Sequence, residues 1–345
     1  MNRLKLFMPF LFLLPSFPLF ALPPLPLPVS GDSVTPADIE SIRNPTMKWA
    51  ETTFSKDPSV VRFHEKYLLY YSFFEKNQEG KPILVIGIAS STNLTDWHFE
   101  KHILPMQEVD QNGLGAPCAK VWRNRVLLFY QTYGNQSKDA ICCAWSDDGL
   151  NFVPHPQNPV FRPSGEWTNG RAIDAEIVLF QGKLFLYAAT RDPSSRIQKL
   201  TVATADPESG LGPSDWKQAA DFPILEPELP WEMKCIEAPA AIVRGERLYL
   251  FYAGGYNNDP QQIGAAVSDD GIRFTRLWNK PFIPNGSEGA WNASETGHPG
   301  LFTDADGTTW LFYQGNATHG KDWYLSRVQI SWDTEGELEI PKVVP

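Results

Sequence analysis

The sequence lacks an excess of basic charge: 30 Lys and Arg stand against 40 Asp and Glu, for a net charge of −10 at pH 7. A nucleic-acid surface needs a cationic footprint to displace counterions, so no nucleic-acid partner is expected. Cysteine is scarce, with four in 345 residues (118, 142, 143 and 235). That number is too small for a disulfide scaffold, and the CxxC spacing of a zinc site is absent, so no metal-ligating set is read from the chain. No long helical period occurs, and after residue 21 no apolar run is long enough to cross a bilayer. What is abundant is aromatic and proline: 12 Trp, 11 Tyr, 21 Phe and 30 Pro. This aromatic content excludes disorder and coiled coil, and the prolines suit many turns between short strands.

The N-terminus has the make-up of an export signal. Arg3 and Lys5 are followed by an apolar run from Leu6 to Phe20 and by the small residue Ala21. The expected organisation is a signal peptide over 1–21, a Pro-rich linker over 22–45 and one domain over 46–345. A secreted or periplasmic location follows, with no membrane span after signal removal.

Within the domain one unit recurs five times. The copies are DPSVVRFHEKYLLYYS from Asp57, APCAKVWRNRVLLFYQ from Ala116, DAEIVLFQGKLFLYAA from Asp174, EAPAAIVRGERLYLFYAG from Glu237 and HPGLFTDADGTTWLFYQG from His298. Their starts lie 59, 58, 63 and 61 residues apart. Each copy reads as strand, tight turn, strand, the turns being His64-Glu65, Arg123-Asn124, Gln181-Gly182, Arg244-Gly245 and Asp306-Gly307. A third strand, a polar turn and an aromatic residue opening a fourth strand follow each hairpin. Four strands per ~60 residues, five times over, predicts an all-β fold, a five-bladed β-propeller with four antiparallel strands per blade. A single bridge from Cys118 to Cys142 or Cys143 would fall within one such unit.

In a propeller the first strand of each blade lines the central channel, so its leading residues surround one mouth. These are Asp57, Ala116, Asp174, Glu237 and His298. Three carboxyls and a histidine brought together in a partly desolvated hole raise or lower one another's pKa, which suits acid–base chemistry. Glycoside hydrolysis needs one ionised and one protonated carboxyl on opposite sides of the scissile bond. Trp49, Trp167, Trp231 and Trp291 lie six to eight residues before blade openings, where a ring could stack on a sugar face or pack between blades. Of these, Trp231 and Trp291 are the first choices as platforms.

The five openings resemble those of glycoside hydrolase family 43, in the clan of five-bladed propeller glycosidases that also includes family 32. The resemblance runs over roughly residues 45–340 and rests on Asp57-Pro58, Ala116-Pro117, Ile173-Asp174, Glu237-Ala238-Pro239, Gly297-His298 and the closing RVQISWDTEG of 327–336. It implies Asp57 as general base, Glu237 as general acid and Asp174 as the residue that tunes and orients the acid. It also implies a supporting role for His298, sometimes beside a bound calcium, with no cofactor required for the reaction. Arg171 is an added candidate for substrate binding. The implied activity is inverting hydrolysis of arabinofuranosyl or xylosyl linkages in plant-type polysaccharide, by a monomer whose partner is its carbohydrate substrate. Rival readings are a retaining fructosidase of the family 32 type, a glycoside phosphorylase on a related propeller, and a non-catalytic carbohydrate-binding propeller. Arg191-Asp192-Pro193 mimics the RDP of family 32 at the wrong place in a blade. The two SDDG segments, 146–149 and 268–271, read as tight turns.

Overall fold

The five hairpins become the inner halves of five separate antiparallel sheets in the computed structural model, which describes residues 54–336 and 338–344. Blade 1 comprises β1 (Lys56–Phe63), β2 (Lys66–Lys76), β3 (Pro82–Ser91) and β4 (Trp97–Ile103). Blade 2 comprises β5 (Leu114–Trp122), β6 (Arg125–Thr132), β7 (Ile141–Ser146) and β8 (Val153–Pro154). Blade 3 is built from β9 (Ile173–Phe180), β10 (Lys183–Arg191), β11 (Gln198–Ala205) and β12 (Lys217–Gln218). Blade 4 is built from β13 (Ile236–Arg244), β14 (Arg247–Gly254), β15 (Gln262–Ser268) and β16 (Thr275–Arg276). Blade 5 closes the series with β17 (Glu295–Thr303), β18 (Thr309–Asn316), β19 (Tyr324–Glu335) and β20 (Leu338–Val344). Within each sheet the strands lie in sequence order, as the all-β propeller expectation requires. The fourth hairpin turns one residue later than expected, at Gly245-Glu246, because Arg244 still pairs with Arg247.

Each sheet is apolar on both faces, and five hydrophobic clusters fill the five gaps between neighbours. Tyr70, Ile86 and Ile88 meet Leu128, Tyr130 and Cys142 between blades 1 and 2. Phe129 and Cys143 meet Ile177 and Leu186 between blades 2 and 3. Between blades 3 and 4, Tyr187 and Val202 meet Leu250 and Tyr252, and between blades 4 and 5, Phe251 and Ile263 meet Leu311 and Tyr313. The fifth cluster, Val60, Tyr71 and Val85 against Phe302, Phe312 and Leu325, joins blade 5 to blade 1. The first and last blades share no sheet, so this burial, with a parallel bridge between Phe54 and Trp323, seals the ring.

The SDDG turns key blades together. In each, the second Asp accepts backbone N–H bonds from the two residues after the glycine, Leu150 and Asn151 or Ile272 and Arg273. The glycine carbonyl then accepts a hydroxyl from the preceding blade: Tyr70 to Gly149 at 2.8 Å and Tyr187 to Gly271 at 2.7 Å. All four cysteines are free and buried, which corrects the expected disulfide. Cys118 and Cys143 both pair with Phe129 from opposite sides, two strand spacings or roughly 9.5 Å apart, beyond disulfide reach. Cys142 faces the gap between blades 1 and 2, away from Cys118.

The signal segment, the Pro-rich linker and Trp49 lie outside the described residues. Among the described residues no helix is long and apolar enough to cross a membrane.

Candidate active site

Every inner strand is bulged near its leading end. Its register slips between Lys56 and Ser59, Gly115 and Cys118, Ile173 and Glu176, Glu237 and Ala240, and Gly297 and Gly300. The first bulged residue has positive φ in all five blades: Asp57 (56°), Ala116 (44°), Asp174 (53°), Ala238 (51°) and His298 (46°). Such a conformation costs a non-glycine residue roughly 1–3 kcal/mol. The second bulged residue is proline in four blades (58, 117, 239 and 299), where the ladder has no place for an N–H. The x-Pro signatures are therefore bulge signatures. Glu237 does not share the position of the two aspartates. It occupies the last ladder position before the bulge, as Lys56 and Ile173 do in their blades, and Ala238 is the true counterpart of Asp57 and Asp174.

Two bulges that carry an aspartate are latched to the blade before them. The Asp57 N–H donates to Gln314 Oε1 at 2.9 Å and the Asp174 N–H to Gln131 Oε1 at 2.9 Å. Gln131 and Gln314 occupy the same place in β6 and β18. Gln314 is aimed by Glu295, a fully buried carboxylate that accepts Gln314 Nε2 at 2.7 Å and Trp323 Nε1 at 3.0 Å.

The charge states follow from these surroundings. Asp57 is buried, which by itself would raise its pKa. His298 Nδ1 at 2.9 Å and the nearby Lys56 ammonium win, and hold it well below the usual carboxylate range. Burial would deprotonate His298, but Asp57 and Asp174 raise its pKa, so the two groups form an ion pair. Asp174 has no such partner. Burial, reinforced by the charges of Glu237 and Asp57 and opposed by His298 and Arg171, pushes it up to about 7. Lys56 stays charged against its burial because Asp57, Glu295, Glu237 and Asp174 all act on it, and its Nζ donates to Asn257 Oδ1 at 2.8 Å. These mutual effects place Asp57, Asp174, Glu237, His298 and Lys56 within one electrostatic neighbourhood at one mouth.

Glu237 is half-buried, and an amide reaches each of its oxygens: Gln261 Nε2 donates to Oε1 at 2.6 Å and Gln198 Nε2 to Oε2. Arg171 is tied at 3.3 Å to the buried Asp139, so it reaches the site through its field on Asp174. The two first-choice platforms are half-buried and each packs a ring face on its own blade. Trp231 stacks on Tyr252 with ring centroids 5.9 Å apart and covers Gly254 and Gly264, where a Cβ would collide with the indole. Trp291 covers Gly315 and leans on Tyr313 in the same way. Both rings are packing elements of blades 4 and 5. Trp167 lies with Lys199 Nζ 5.6 Å from its ring centroid.

Lys56, Gln198, Gln261 and the Gln131/Gln314 latches were missed from the sequence. Only the latches had left a visible trace, as the repeated LFYQ ending of two copies. Among the described residues no three His, Cys, Asp or Glu side chains gather to hold a metal, and His298 Nδ1 is taken by Asp57. Calcium beside His298 stays an expectation of the family resemblance, and no step of the mechanism runs through a metal.

A thermostable family-43 glycoside hydrolase of known structure superposes with a TM-score of 0.67 at 20% identity, over 87% of this chain and 96% of that one. An endo-1,4-beta-xylanase from Bacteroides thetaiotaomicron gives 0.65 at 18% identity, over 86% and 96%. An alpha-L-arabinofuranosidase from Lactobacillus brevis gives 0.62 at 16%, over 84% and 93%. In sequence, a beta-1,2-mannobiose phosphorylase from Thermoanaerobacter sp. (strain X514) is 28% identical over 128 residues, a stretch covering 33% of this chain and only 40% of that enzyme. The structural likenesses establish the propeller. The family follows from the match of residues 42–336 to the model for glycosyl hydrolases family 43, and the chain belongs to that family of glycosidases.

Proposed function

We propose that the protein is an exported, inverting glycosidase that releases arabinofuranosyl or xylosyl units from plant-type polysaccharide or oligosaccharide. Asp57, kept ionised by His298, takes a proton from a water as that water attacks the anomeric carbon. Glu237 delivers a proton to the departing oxygen. Asp174, pushed up to about 7 by burial, lessens the negative charge beside the acid, and between turnovers Asp57 gives its proton to solvent while Glu237 takes one up. The meeting of Asp57, Asp174 and Glu237, from three different blades, at one mouth, with Asp57 ion-paired to His298 and the Glu237 carboxyl held by two amides, carries this reading.

Phosphorolysis is a second reading, favoured by the local likeness to a mannobiose phosphorylase and by the cations Lys56 and His298 at the mouth. It differs from hydrolysis in needing phosphate as nucleophile. The test incubates the purified protein with nitrophenyl α-L-arabinofuranoside, β-D-xyloside and galactofuranoside and with β-1,2-mannobiose, each with and without phosphate. Release from a pentoside without phosphate is the expected result. Turnover only with phosphate, yielding a sugar 1-phosphate, would replace hydrolysis by phosphorolysis.

A further inference from the structure

We infer that Arg191 is a positioning residue for Glu237, acting through Gln198 to fix which way that amide faces. This rests on the reading of Glu237 as the acid. Arg191 ends β10, in the Arg-Asp-Pro triplet that has no place among the blade openings. Its Nε donates to Gln198 Oε1 at 2.8 Å, and its guanidinium lies 5.5 Å from the centre of the Tyr256 ring. A guanidinium has no acceptor, so the group facing it must be the amide oxygen. The NH2 of the buried Gln198 is thereby turned to Glu237 Oε2.

The other flank is fixed by the same logic. Gln261 Nε2 donates to the Gly255 carbonyl at 3.0 Å as well as to Glu237 Oε1, and a carbonyl can only accept. Glu237 is thus gripped by two donors, the sense of Gln261 fixed by the Gly255 carbonyl and that of Gln198 by Arg191. Without Arg191 the Gln198 amide is free to turn, offering its oxygen to a protonated Glu237 instead of its NH2 to the carboxylate. That exchange favours the protonated form.

The charged and titratable groups around Glu237 are Asp174 on β9, Lys56 on β1, Arg191 on β10, Cys235 just ahead of β13 and Tyr256 after β14. Removing Arg191 also removes one positive charge, so the test must separate charge from direction. Gln198→Met does so, since it leaves the guanidinium and its charge in place and removes the directed amide, while Arg191→Lys keeps both charge and donor as a control.

The experiment is the pH profile of kcat/KM for wild type, Arg191→Ala, Arg191→Lys, Gln198→Met and Glu237→Gln on the best nitrophenyl glycoside. The basic limb should move up by about half a unit or more in Arg191→Ala and Gln198→Met. Their kcat should fall about tenfold, with KM changed less. Arg191→Lys should return the limb toward wild type. Limbs of Arg191→Ala and Gln198→Met that coincide with wild type would overturn the inference, whatever the loss of rate. If Gln198→Met does not fold, Arg191→Gln at the half-exposed strand end takes its place: it removes the charge and keeps an N–H donor for Gln198 Oε1, so its limb should stay near wild type, and a limb that moves with Arg191→Ala would overturn the inference. Glu237→Gln separates the levels. An active Glu237→Gln sinks the acid assignment, and an inactive one beside unmoved limbs sinks only the role of Arg191.

Discussion

Blades 1 and 3 set their carboxyls on a strained bulge, whereas blade 4 sets its carboxyl one residue earlier in regular ladder. Asp57 and Asp174 are held through their own backbone, each by a glutamine of the preceding blade. Glu237 is held through its carboxyl, by the amides of Gln198 and Gln261. The extra methylene of Glu lets a side chain from the ladder position reach the mouth that a bulged Asp reaches directly. A short side chain depends on exact backbone placement, and a longer one depends on what grips its end.

That contrast has consequences of decreasing size. Asp57→Asn and Glu237→Gln should each lower kcat on the order of 10²–10⁴-fold with the fold intact by circular dichroism, since both remove a proton-transfer group. Next, Gln314→Leu and Gln131→Leu orphan the bulge N–H of Asp57 and Asp174. Each should cost about 1–3 kcal/mol of unfolding free energy in denaturant titration and slow turnover. The equivalent positions in blades 3 and 4 are Ala189 and Ala253, with no latch to lose, so conservative changes there should leave activity near wild type.

A third test uses the opposite charge states of the two bulged aspartates. Asp174 has a raised folded-state pKa. Its contribution to stability is whole below the ordinary carboxylate value of about 3.9 and is lost as pH rises toward about 7. Asp174→Asn should therefore melt higher than wild type at pH 8, with the gap closing toward pH 4, while catalysis suffers. Asp57 has a lowered pKa, so its contribution is present above the ordinary value and lost as pH falls. Asp57→Asn should accordingly melt lower than wild type at pH 7. Equal Tm shifts for the two variants would break the distinction. Smallest of all, Pro58→Ala and Pro239→Ala should each cost about 0.4–1 kcal/mol through the unfolded state, with kcat little changed.

The repeat arithmetic reached the fold because each blade must bury both faces against its neighbours, and that demand writes the same aromatic and β-branched run five times. It reached Asp57, Asp174 and His298 because the bulge needs a recurrent local signature. It placed Glu237 in the wrong register, since alignment of openings treats a ladder residue and a bulge residue alike. What Trp231 and Trp291 pack on was not legible, because they answer to glycines on distant strands, Gly254, Gly264 and Gly315, a pairing no local window contains. Gln198 and Gln261 were invisible for the same reason: their partner lies 39 and 24 residues away.

The most direct measurement is proton NMR of the sugar first released from an aryl pentofuranoside or xyloside, taken before mutarotation. A base and an acid working on opposite sides of the bond, with water between them, predict a first product of inverted anomeric configuration. A first product of retained configuration would make Asp57 a nucleophile and contradict the account.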